Sequence, residues 1–513
     1  MAPYDVVEAS IVQLAADMAA GTVTSEALVE AYRARIEAID WAGPTLRSVI
    51  CLNPNAIHEA RAMDAERRAG RVRGPLHGVP LLIKDNVETG DGTATTAGSL
   101  ALQHNVTGRD APLVTRLKDA GAVILGKTNL SEWANIRSGR SLSGWSAVGG
   151  LCRNPYALDR SAGGSSSGTG SAIAASLAAA GVGTETDGSV TCPSSFAALV
   201  GLKPTVGLVS RTQVIPISAS QDTPGPMARS VADAAILLTA MAGSDPADPA
   251  TADADARRGD YLAALEGASL AGRRLGVLGY AARLAPSVDA VFAAAVATLK
   301  AAGAEVVDIE GFEPPHGFGK DEMTVLLTEL KAGLNDYLAT TPPAVACRTL
   351  AEVIAFNARS ERELALFGQE LFEQAQATGG LADPAYLKAR ADGLKMAGED
   401  GLARLIADHR LDALIAPSYG PAWRVDAALG DHGWGSASRL PAIAGYPHLT
   451  APMGQTAGMP LGLSFIGLPW TEAALLALGH AFECAAQARR PPTYRASLEA
   501  EPAFEAASRP AME

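Results

Sequence analysis

The order of apolar and polar positions predicts helices at the start of the chain. Ile11, Leu14 and Met18 recur at the spacing of an amphipathic helix, and a second such stretch follows over residues 28–39. We therefore expect residues 1–75 to form N-terminal helices that pack on the body of the protein.

Short apolar runs bounded by Gly or Pro predict buried strands. Residues 78–85 (GVPLLIKD) form one run and deliver Lys84 at its end, and residues 122–127 form another after a helix that stops at Gly121. This strand–helix–strand order is typical of a sheet with helices on its faces, so the predicted fold class is α/β. Similar runs recur at 274–278, 304–309, 411–416, 441–444 and 461–466, and we expect the last two to be closing strands.

The second half of the chain contains a long stretch of helical pattern. Over residues 320–410, leucines such as Leu326, Leu330 and Leu334 fall on one helix face. We expect this helical region to cover a site. The polar C-terminal segment, 496–513, is expected to be loose.

Composition and charge argue against several classes of partner. The formal net charge of −13 argues against nucleic acid, because binding phosphates needs a positive surface. The five cysteines lack the spacing of a disulfide framework or a zinc site, and Asp5 and Glu8 stand where a secretory signal would be basic. The apolar run at 172–182 is too short to span a bilayer. We expect a cytoplasmic protein without a membrane span, acting as a monomer or homodimer.

Lys84 is the first residue with candidate chemistry. It ends an apolar run, where burial lowers the pKa of a lysine and favours the neutral form that can act as a general base. Two alternatives remain open from the sequence: Lys84 pairs with Asp85, or its ammonium group reaches solvent.

Two serine-bearing motifs lie on either side of an Ala-rich run. The first, residues 163–170 (GGSSSGTG), matches the G-x-S-x-G nucleophile elbow with Ser166 at its centre, which would indicate an esterase with a downstream acid and histidine. An elbow follows a strand, whereas the residues before this motif have the pattern of a loop, so we disfavour that interpretation. The second motif, residues 183–189 (GTETDGS), carries the lone Ser189.

Lys84, GGSS at 163–166 and GTETDGS at 183–189 together resemble the amidase signature family of serine hydrolases. Two later motifs, GLKPTVG at 201–207 and DTPGPMAR at 222–229, extend the resemblance. It implies a single large α/β/α sandwich with a central mixed, twisted β-sheet flanked by helices.

The resemblance also assigns domains and roles. One amidase domain would cover 1–495, with its Lys/Ser/Ser core in 76–240. Ser189 would be the nucleophile, Ser165 the bridging serine and Lys84 the base. Neutral Lys84 would take a proton through Ser165 from Ser189, so that two hydroxyls and an amine replace a histidine and an acid. Neither a cofactor nor a metal is implied.

Two further features follow from the same resemblance. A cis peptide bond would lie between Gly164 and Ser165. The backbone N–H groups of Thr186, Asp187, Gly188 and Ser189 would form the oxyanion hole. For Asp187 itself, a role as a turn residue is an equal alternative.

Departures from the common family form narrow the range of expected substrates. That form has glycine at the position of Asp187 and arginine at that of Thr191. Arginine can hold an acidic substrate, so its absence disfavours a carboxylate-bearing substrate and an amidotransferase-type glutaminase subunit that delivers ammonia to a partner. Ser167 and residues 127–135 (KTNLSEWAN) resemble the peptide amidase branch, which removes C-terminal amides and whose relatives accept anilides or carbamates.

The candidate pocket residues are Trp133, Asn135 and Tyr337. For each of them, core packing or a place on a helix face is the alternative. The expected partner is therefore a small-molecule or peptide amide, hydrolysed through an acyl-enzyme on Ser189.

Overall fold

A large mixed sheet dominates the part of the chain that the computed structural model describes, residues 4–282, 284–433, 435–500 and 502–509. Its strands, together with the short hairpin β4–β5, are β1 (Val49–Leu52), β2 (Pro80–Lys84), β3 (Val123–Thr128), β4 (Trp145–Ser146), β5 (Gly150–Leu151), β6 (Ala180–Glu185), β7 (Val200–Lys203), β8 (Thr223–Ala228), β9 (Arg274–Leu278), β10 (Glu305–Ile309), β11 (Ala413–Pro417), β12 (His448–Thr456) and β13 (Met459–Ile466). Apart from β4 and β5, they form one 11-stranded sheet in the order β1-β3-β2-β6-β8-β7-β12-β13-β11-β9-β10.

Helices flank this sheet. In chain order they are α1 (Ile11–Ala19), α2 (Ser25–Arg35), α3 (Ala56–Arg68), α4 (Pro112–Asp119), α5 (Ser167–Ala174), α6 (Thr191–Phe196), α7 (Val231–Met241), α8 (Ala254–Arg257), α9 (Gly279–Ala282), α10 (Pro286–Ala301), α11 (Phe318–Ala339), α12 (Leu350–Asn357), α13 (Glu370–Gln376), α14 (Pro384–Leu394), α15 (Arg404–His409), α16 (Arg439–Ala444), α17 (Glu472–Ala486) and α18 (Pro502–Ser508). Wider π-helical turns extend α2 over Ile36–Asp40 and join α14 to α15 over Lys395–Ala403. Short 3-10 turns lie at Leu100–Leu102, Glu132–Asn135, Pro249–Thr251 and Ala263–Leu265. Among the described helices, none has the length and apolar character needed to cross a membrane.

The fold brings the candidate chemistry to one edge of the sheet. Strand β2 lies between β3 and β6 and is parallel to both, with Leu82 opposite Gly181 and Ile83 opposite Val182. Since parallel strands end at the same edge, Lys84 at the end of β2 and Glu185 at the end of β6 lie near each other. All residues of β2 and β6 are buried, as expected for strands covered on both faces.

The predicted α/β class and flanked mixed sheet are confirmed, and so are the strands ending at Lys84 and following Gly121. The predicted closing strand at 441–444 is wrong, because these residues lie in α16 and the hairpin is formed by β12 and β13. A short apolar run with Pro in its first turn is compatible with a buried helix as well as with a strand, and periodicity alone does not separate the two.

The sequence predicts two distinct regions in the second half of the chain, a helical region over 320–410 and a loose tail from residue 496. Residues 320–410 are largely helical, as expected, and include most of α11 and all of α12 to α15. The C-terminal segment is attached at its start, because Arg160 Nη2 donates to Glu499 Oε1 at 2.6 Å and Ser497 Oγ donates to Asp159 Oδ2 at 2.8 Å. The loose tail expected from residue 496 stays a prediction, and residues 510–513 lie outside the described part.

Candidate active site

Lys84 is fully buried and hydrogen-bonded to neutral groups. Its Nζ lies 2.8 Å from Ser165 Oγ, 2.9 Å from Thr184 Oγ1 and 3.1 Å from Thr184 O. Burial lowers the pKa of Lys84 to about 7, because the nearby charges of Asp222 and Glu185 only partly offset the loss of hydration. The side chain is thus an amine that can change protonation state near neutral pH, in contact with a serine hydroxyl.

The alternative pairing of Lys84 with Asp85 does not occur. Asp85 is turned to the other side of the strand, where its carboxylate lies 3.2 Å from Lys127 Nζ and accepts a hydrogen bond from the Thr96 hydroxyl. Successive residues of a strand point to opposite faces, so Lys84 and Asp85 are separated by the sheet itself.

The loop over 163–166 presents Ser165 to the lysine. The peptide bond between Gly164 and Ser165 is cis, as the family resemblance implied. A Cβ at Gly164 would collide with Ser131 Oγ and lie 3.0 Å from Asn135 Nδ2, so only glycine fits there. Ser165 is fully buried, and its carbonyl accepts a hydrogen bond of 3.0 Å from the N–H of Ser131.

Ser166 fastens this loop to the neighbouring segment. Its hydroxyl donates to Thr184 O at 3.1 Å and accepts from Thr184 N at 3.2 Å, while its own N–H donates to Ser189 O at 3.1 Å. These contacts occupy the hydroxyl that the elbow interpretation would use as a nucleophile. His448, one of the downstream histidines, lies buried against Ser464 Oγ at 2.6 Å, and burial lowers its pKa to about 3.

Ser189 lies in the turn between β6 and α6. Glu185 Oε2 holds the turn by accepting hydrogen bonds from Val190 N at 2.8 Å and Thr191 N at 2.9 Å. Gly188 has a φ of 79°, and a Cβ on it would collide with the hydroxyl of Tyr419, so the position requires glycine for two reasons. Ser189 itself is 8 % exposed, whereas Ser165 is inaccessible.

The backbone of the predicted oxyanion hole is available for a ligand. Among the described residues, none accepts a hydrogen bond from the N–H groups of Asp187, Gly188 or Ser189. The neighbouring Thr186 is tied down, because its hydroxyl donates to Asp222 Oδ1 at 2.5 Å and its carbonyl accepts from Gln221 Nε2 at 3.3 Å. A row of free N–H groups beside a serine is the arrangement that can stabilise an oxyanion.

Asp187 joins a cluster that the sequence did not reveal. Its carboxylate accepts a hydrogen bond from Ser438 Oγ and lies 3.8 Å from Arg439 Nε, which is 2.9 Å from Glu322 Oε2. Tyr419 donates to Ser438 Oγ at 2.8 Å and completes the chain of contacts. Burial and the nearby carboxylate of Asp187 raise the pKa of Glu322 to about 8, and burial raises that of Asp187.

The three candidate pocket residues have different surroundings. Trp133 is 3 % exposed and packs edge-on against Phe372 with ring centroids 5.6 Å apart, which is the packing of a core residue. Asn135 Nδ2 donates to Ser143 Oγ at 3.1 Å next to Gly164. Tyr337 lines a cavity, but its hydroxyl donates to Glu88 Oε1 at 2.9 Å and accepts from Asn105 Nδ2 at 2.8 Å.

Thr191 occupies the position where the common family form has arginine. Its side chain is fully buried, and its hydroxyl lies 3.2 Å from Glu185 Oε2, so it supports the turn rather than facing a ligand. The site is therefore left without a cation at this position.

Two cavities flank the segment 184–188. The larger, of about 750 Å³, is lined by Thr184, Thr186 and residues of α11 that include Tyr337. The smaller, of about 590 Å³, is lined by Tyr419 and Arg439, which contact Gly188 and Asp187. Helix α11 contributes residues to both, so the helical region 320–410 borders the candidate site.

Known proteins of similar sequence and structure include several amidases. A family model described as Amidase matches residues 27–476. The crystal structure of the peptide amidase from Stenotrophomonas maltophilia is 51 % identical, has a TM-score of 0.91, and matches over 96 % of this chain and 100 % of that one. A probable amidase from Arabidopsis thaliana is 39 % identical over 503 residues, covering 96 % of this chain and 92 % of that one.

A further relative represents the amidotransferase alternative. It is one of the subunits of the glutamyl-tRNA(Gln) amidotransferase of Myxococcus xanthus, and it is 35 % identical over 493 residues, covering 92 % of this chain and 96 % of that one. The family match covers most of the chain, and the greater identity lies with amidases. The chain belongs to the amidase family and is an enzyme that hydrolyses amide C–N bonds.

Proposed function

We propose that this enzyme hydrolyses neutral carboxylic amides through an acyl-enzyme on Ser189, with Ser165 as the relay and Lys84 as the base, and that its substrates are C-terminal peptide amides. The observation that carries the proposal is the 2.8 Å contact between Lys84 Nζ and Ser165 Oγ in a fully buried setting. A lysine with a pKa of about 7 is half neutral at neutral pH, which suits a general base.

The proton transfers balance without a histidine. Ser189 Oγ attacks the amide carbon and passes its proton to Ser165 Oγ, while Ser165 passes its own proton to Lys84 Nζ. When the C–N bond breaks, the leaving nitrogen takes a proton from Ser165, which recovers one from Lys84. Water then attacks the ester on Ser189 by the same route and releases the carboxylic acid.

The oxyanion of each tetrahedral intermediate would be bound by backbone N–H groups. Those of Thr186, Asp187, Gly188 and Ser189 lie in the turn that carries the nucleophile, and Gly188 allows the close approach that such a site needs. Losing one donor of this kind typically costs about 3–4 kcal/mol of transition-state stabilisation.

Two observations support a neutral peptide amide as the substrate. The similarity to a peptide amidase extends over 96 % of this chain at 51 % identity. The guanidinium of Arg439, which lies beside Asp187, is offset by the carboxylates of Asp187 and Glu322. A substrate with its own carboxylate next to the scissile bond would meet no uncompensated cation there.

A substrate panel tests the assignment. We expect the purified chain to release ammonia from N-acyl amino acid amides faster than it cleaves anilides or carbamates, and to leave free glutamine intact. Faster cleavage of anilides or carbamates would be consistent with the same acyl-enzyme mechanism but would assign the enzyme to a different substrate class. Efficient hydrolysis of glutamine would instead favour the amidotransferase role, for which the 35 % identity to the Myxococcus xanthus protein speaks.

We also propose that residues 1–495 act as one amidase domain in which the region 320–410 covers the site, in a cytoplasmic monomer or homodimer. Helix α11 borders both cavities, and all five cysteines are unpaired, as is usual in a reducing compartment. Light scattering on the purified protein tests the oligomeric state, and fractionation of the source cells tests the location.

A further inference from the structure

The smaller cavity shares two wall residues, Tyr419 and Arg439, with the surroundings of the proposed oxyanion hole. Tyr419, in its wall, packs against Gly188, and Arg439, also in its wall, lies beside the carboxylate of Asp187. The larger cavity borders Thr186 and Thr184, and the hydroxyl of Thr184 is bonded to Lys84. A group attached to the carbonyl carbon above Gly188 would therefore find the smaller cavity beside it.

The wall of this cavity is aromatic, with one cation. Tyr280, Phe318, Tyr419 and Trp423 contribute rings, and the hydroxyl of Tyr280 is buried without a hydrogen-bond partner among the described residues. Aromatic walls gain most from another large apolar or aromatic group, because ring contacts add to the area buried.

The guanidinium of Arg439 contacts acidic side chains through its Nε atom. Its Nε lies 2.9 Å from Glu322 and 3.8 Å from Asp187, whereas Nη1 and Nη2 have no hydrogen-bond partner among the described residues. The side chain is 54 % exposed. The acidic groups of Asp187 and Glu322 already compensate the charge of the guanidinium, so the free N–H groups suit a neutral acceptor such as a carbonyl oxygen.

We propose that this cavity is the subsite for the residue that bears the amide and for the peptide chain before it: the Nη groups of Arg439 donate to the preceding backbone carbonyl oxygen, and the rings of Tyr280, Phe318 and Trp423 hold a large apolar side chain. The proposal rests on the proposed function, since it assumes that Ser189 attacks a C-terminal amide. It makes Arg439 a specificity-determining residue for peptides over simple amides.

The test compares two substrates that share a phenyl group and a primary amide. N-acetyl-phenylalaninamide has the preceding carbonyl, and 3-phenylpropanamide lacks it. For Arg439→Gln, we expect kcat/KM to fall by about 10- to 100-fold on the first through KM, and by no more than about twofold on the second. Both amides are also measured as competitive inhibitors of a chromogenic amide, so that a poor substrate still reports its binding.

Two controls make the outcome decisive. Arg61→Gln removes another exposed arginine paired with a single glutamate, far along the chain, and should change neither value. An equal fall in kcat/KM on both substrates would show that Arg439 only holds Asp187 in place and would overturn the proposal. An unchanged kcat/KM on both substrates would overturn it as well. If Ser189→Ala retained turnover, the proposed function itself would fail, whatever Arg439 does.

A second variant tests the aromatic half. Tyr280→Ala should lower the ratio of kcat/KM for N-acetyl-phenylalaninamide over N-acetyl-alaninamide by about tenfold, since it removes ring surface from the wall. An unchanged ratio would show that the large apolar side chain of the substrate does not bind in this cavity.

Discussion

The segments that carry Lys84 and Ser165 and the wall of the smaller cavity hold their side chains in different ways. Lys84 and Ser165 are inaccessible to solvent and fixed by short hydrogen bonds to backbone and hydroxyl groups of the sheet edge. Arg439, at the start of α16 in the wall of the smaller cavity, is half exposed and lies between the acidic side chains of Asp187 and Glu322. The first arrangement maintains one geometry for proton transfer, whereas the second can adapt to different ligands.

The largest expected effect on activity is that of replacing Ser189, and it is compared with the effect of replacing Ser166. Ser189→Ala should lower kcat by roughly 10⁴-fold or more, because no covalent intermediate can form. Ser166→Ala, the matched control, should lower the thermal midpoint, since its hydroxyl ties the loop to Thr184, while leaving measurable turnover. The reverse order of activities would place the nucleophile at Ser166.

The base should reveal itself in the pH dependence. The pKa of Lys84 is lowered to about 7, and in the proposed mechanism the neutral amine is the active form, so kcat/KM should rise with pH and level off above about 7. Lys84→Met should abolish this limb and cost roughly 10³-fold in kcat. Lys203→Met removes another buried lysine, whose pKa is lowered to about 8, and should keep the limb. Loss of the limb in Lys203→Met alone would assign the base to that residue.

A smaller effect is expected where the two regions meet. Ser438→Ala removes the hydrogen bond to Asp187, which should loosen the segment that carries the proposed oxyanion donors. We expect kcat to fall about tenfold with KM nearly constant, because the contact orients the backbone rather than the substrate. Ser436→Ala, which removes a hydroxyl whose one hydrogen-bond partner among the described residues is Ser438, serves as the control. A change confined to KM would instead place Ser438 in contact with substrate.

The smallest effect on activity is expected in the wall of the larger cavity. Tyr337→Phe removes the hydroxyl that bridges Glu88 and Asn105, so the free energy of unfolding should fall by about 1–3 kcal/mol. Because that hydroxyl is fully used within the protein, kcat/KM should stay within about twofold. A tenfold rise in KM would show that Tyr337 contacts substrate.

The sequence motifs indicated the part of the candidate site whose residues lie close together along the chain. The place of Lys84 at the end of a buried strand was predictable from a short apolar run bounded by Gly and Pro, whereas its role as the base was implied by the family resemblance. The turn at 183–189 was predictable because its glycines and serine are contiguous. The α/β class followed from the same alternation of strands and helices, without any knowledge of the strand order.

The rest of the site depends on contacts between distant parts of the chain. Ser438 and Arg439 reach Asp187 across about 250 positions, and no motif around them indicates this role. Trp133 lies within a motif typical of the peptide amidase branch, yet packing against Phe372 decides its environment. The short run at 441–444 formed a helix because tertiary packing, rather than its apolar pattern, determines its conformation.

Mapping the acyl-enzyme identifies the nucleophile itself. The wild-type enzyme is mixed with an activated ester of an N-acyl amino acid, quenched in acid during turnover, digested and analysed by mass spectrometry. We expect an acyl group on Ser189, absent in Ser189→Ala and retained in Ser166→Ala. An acyl group on Ser165 or Ser166, or undiminished turnover in Ser189→Ala, would contradict the assignment of Ser189 as the nucleophile.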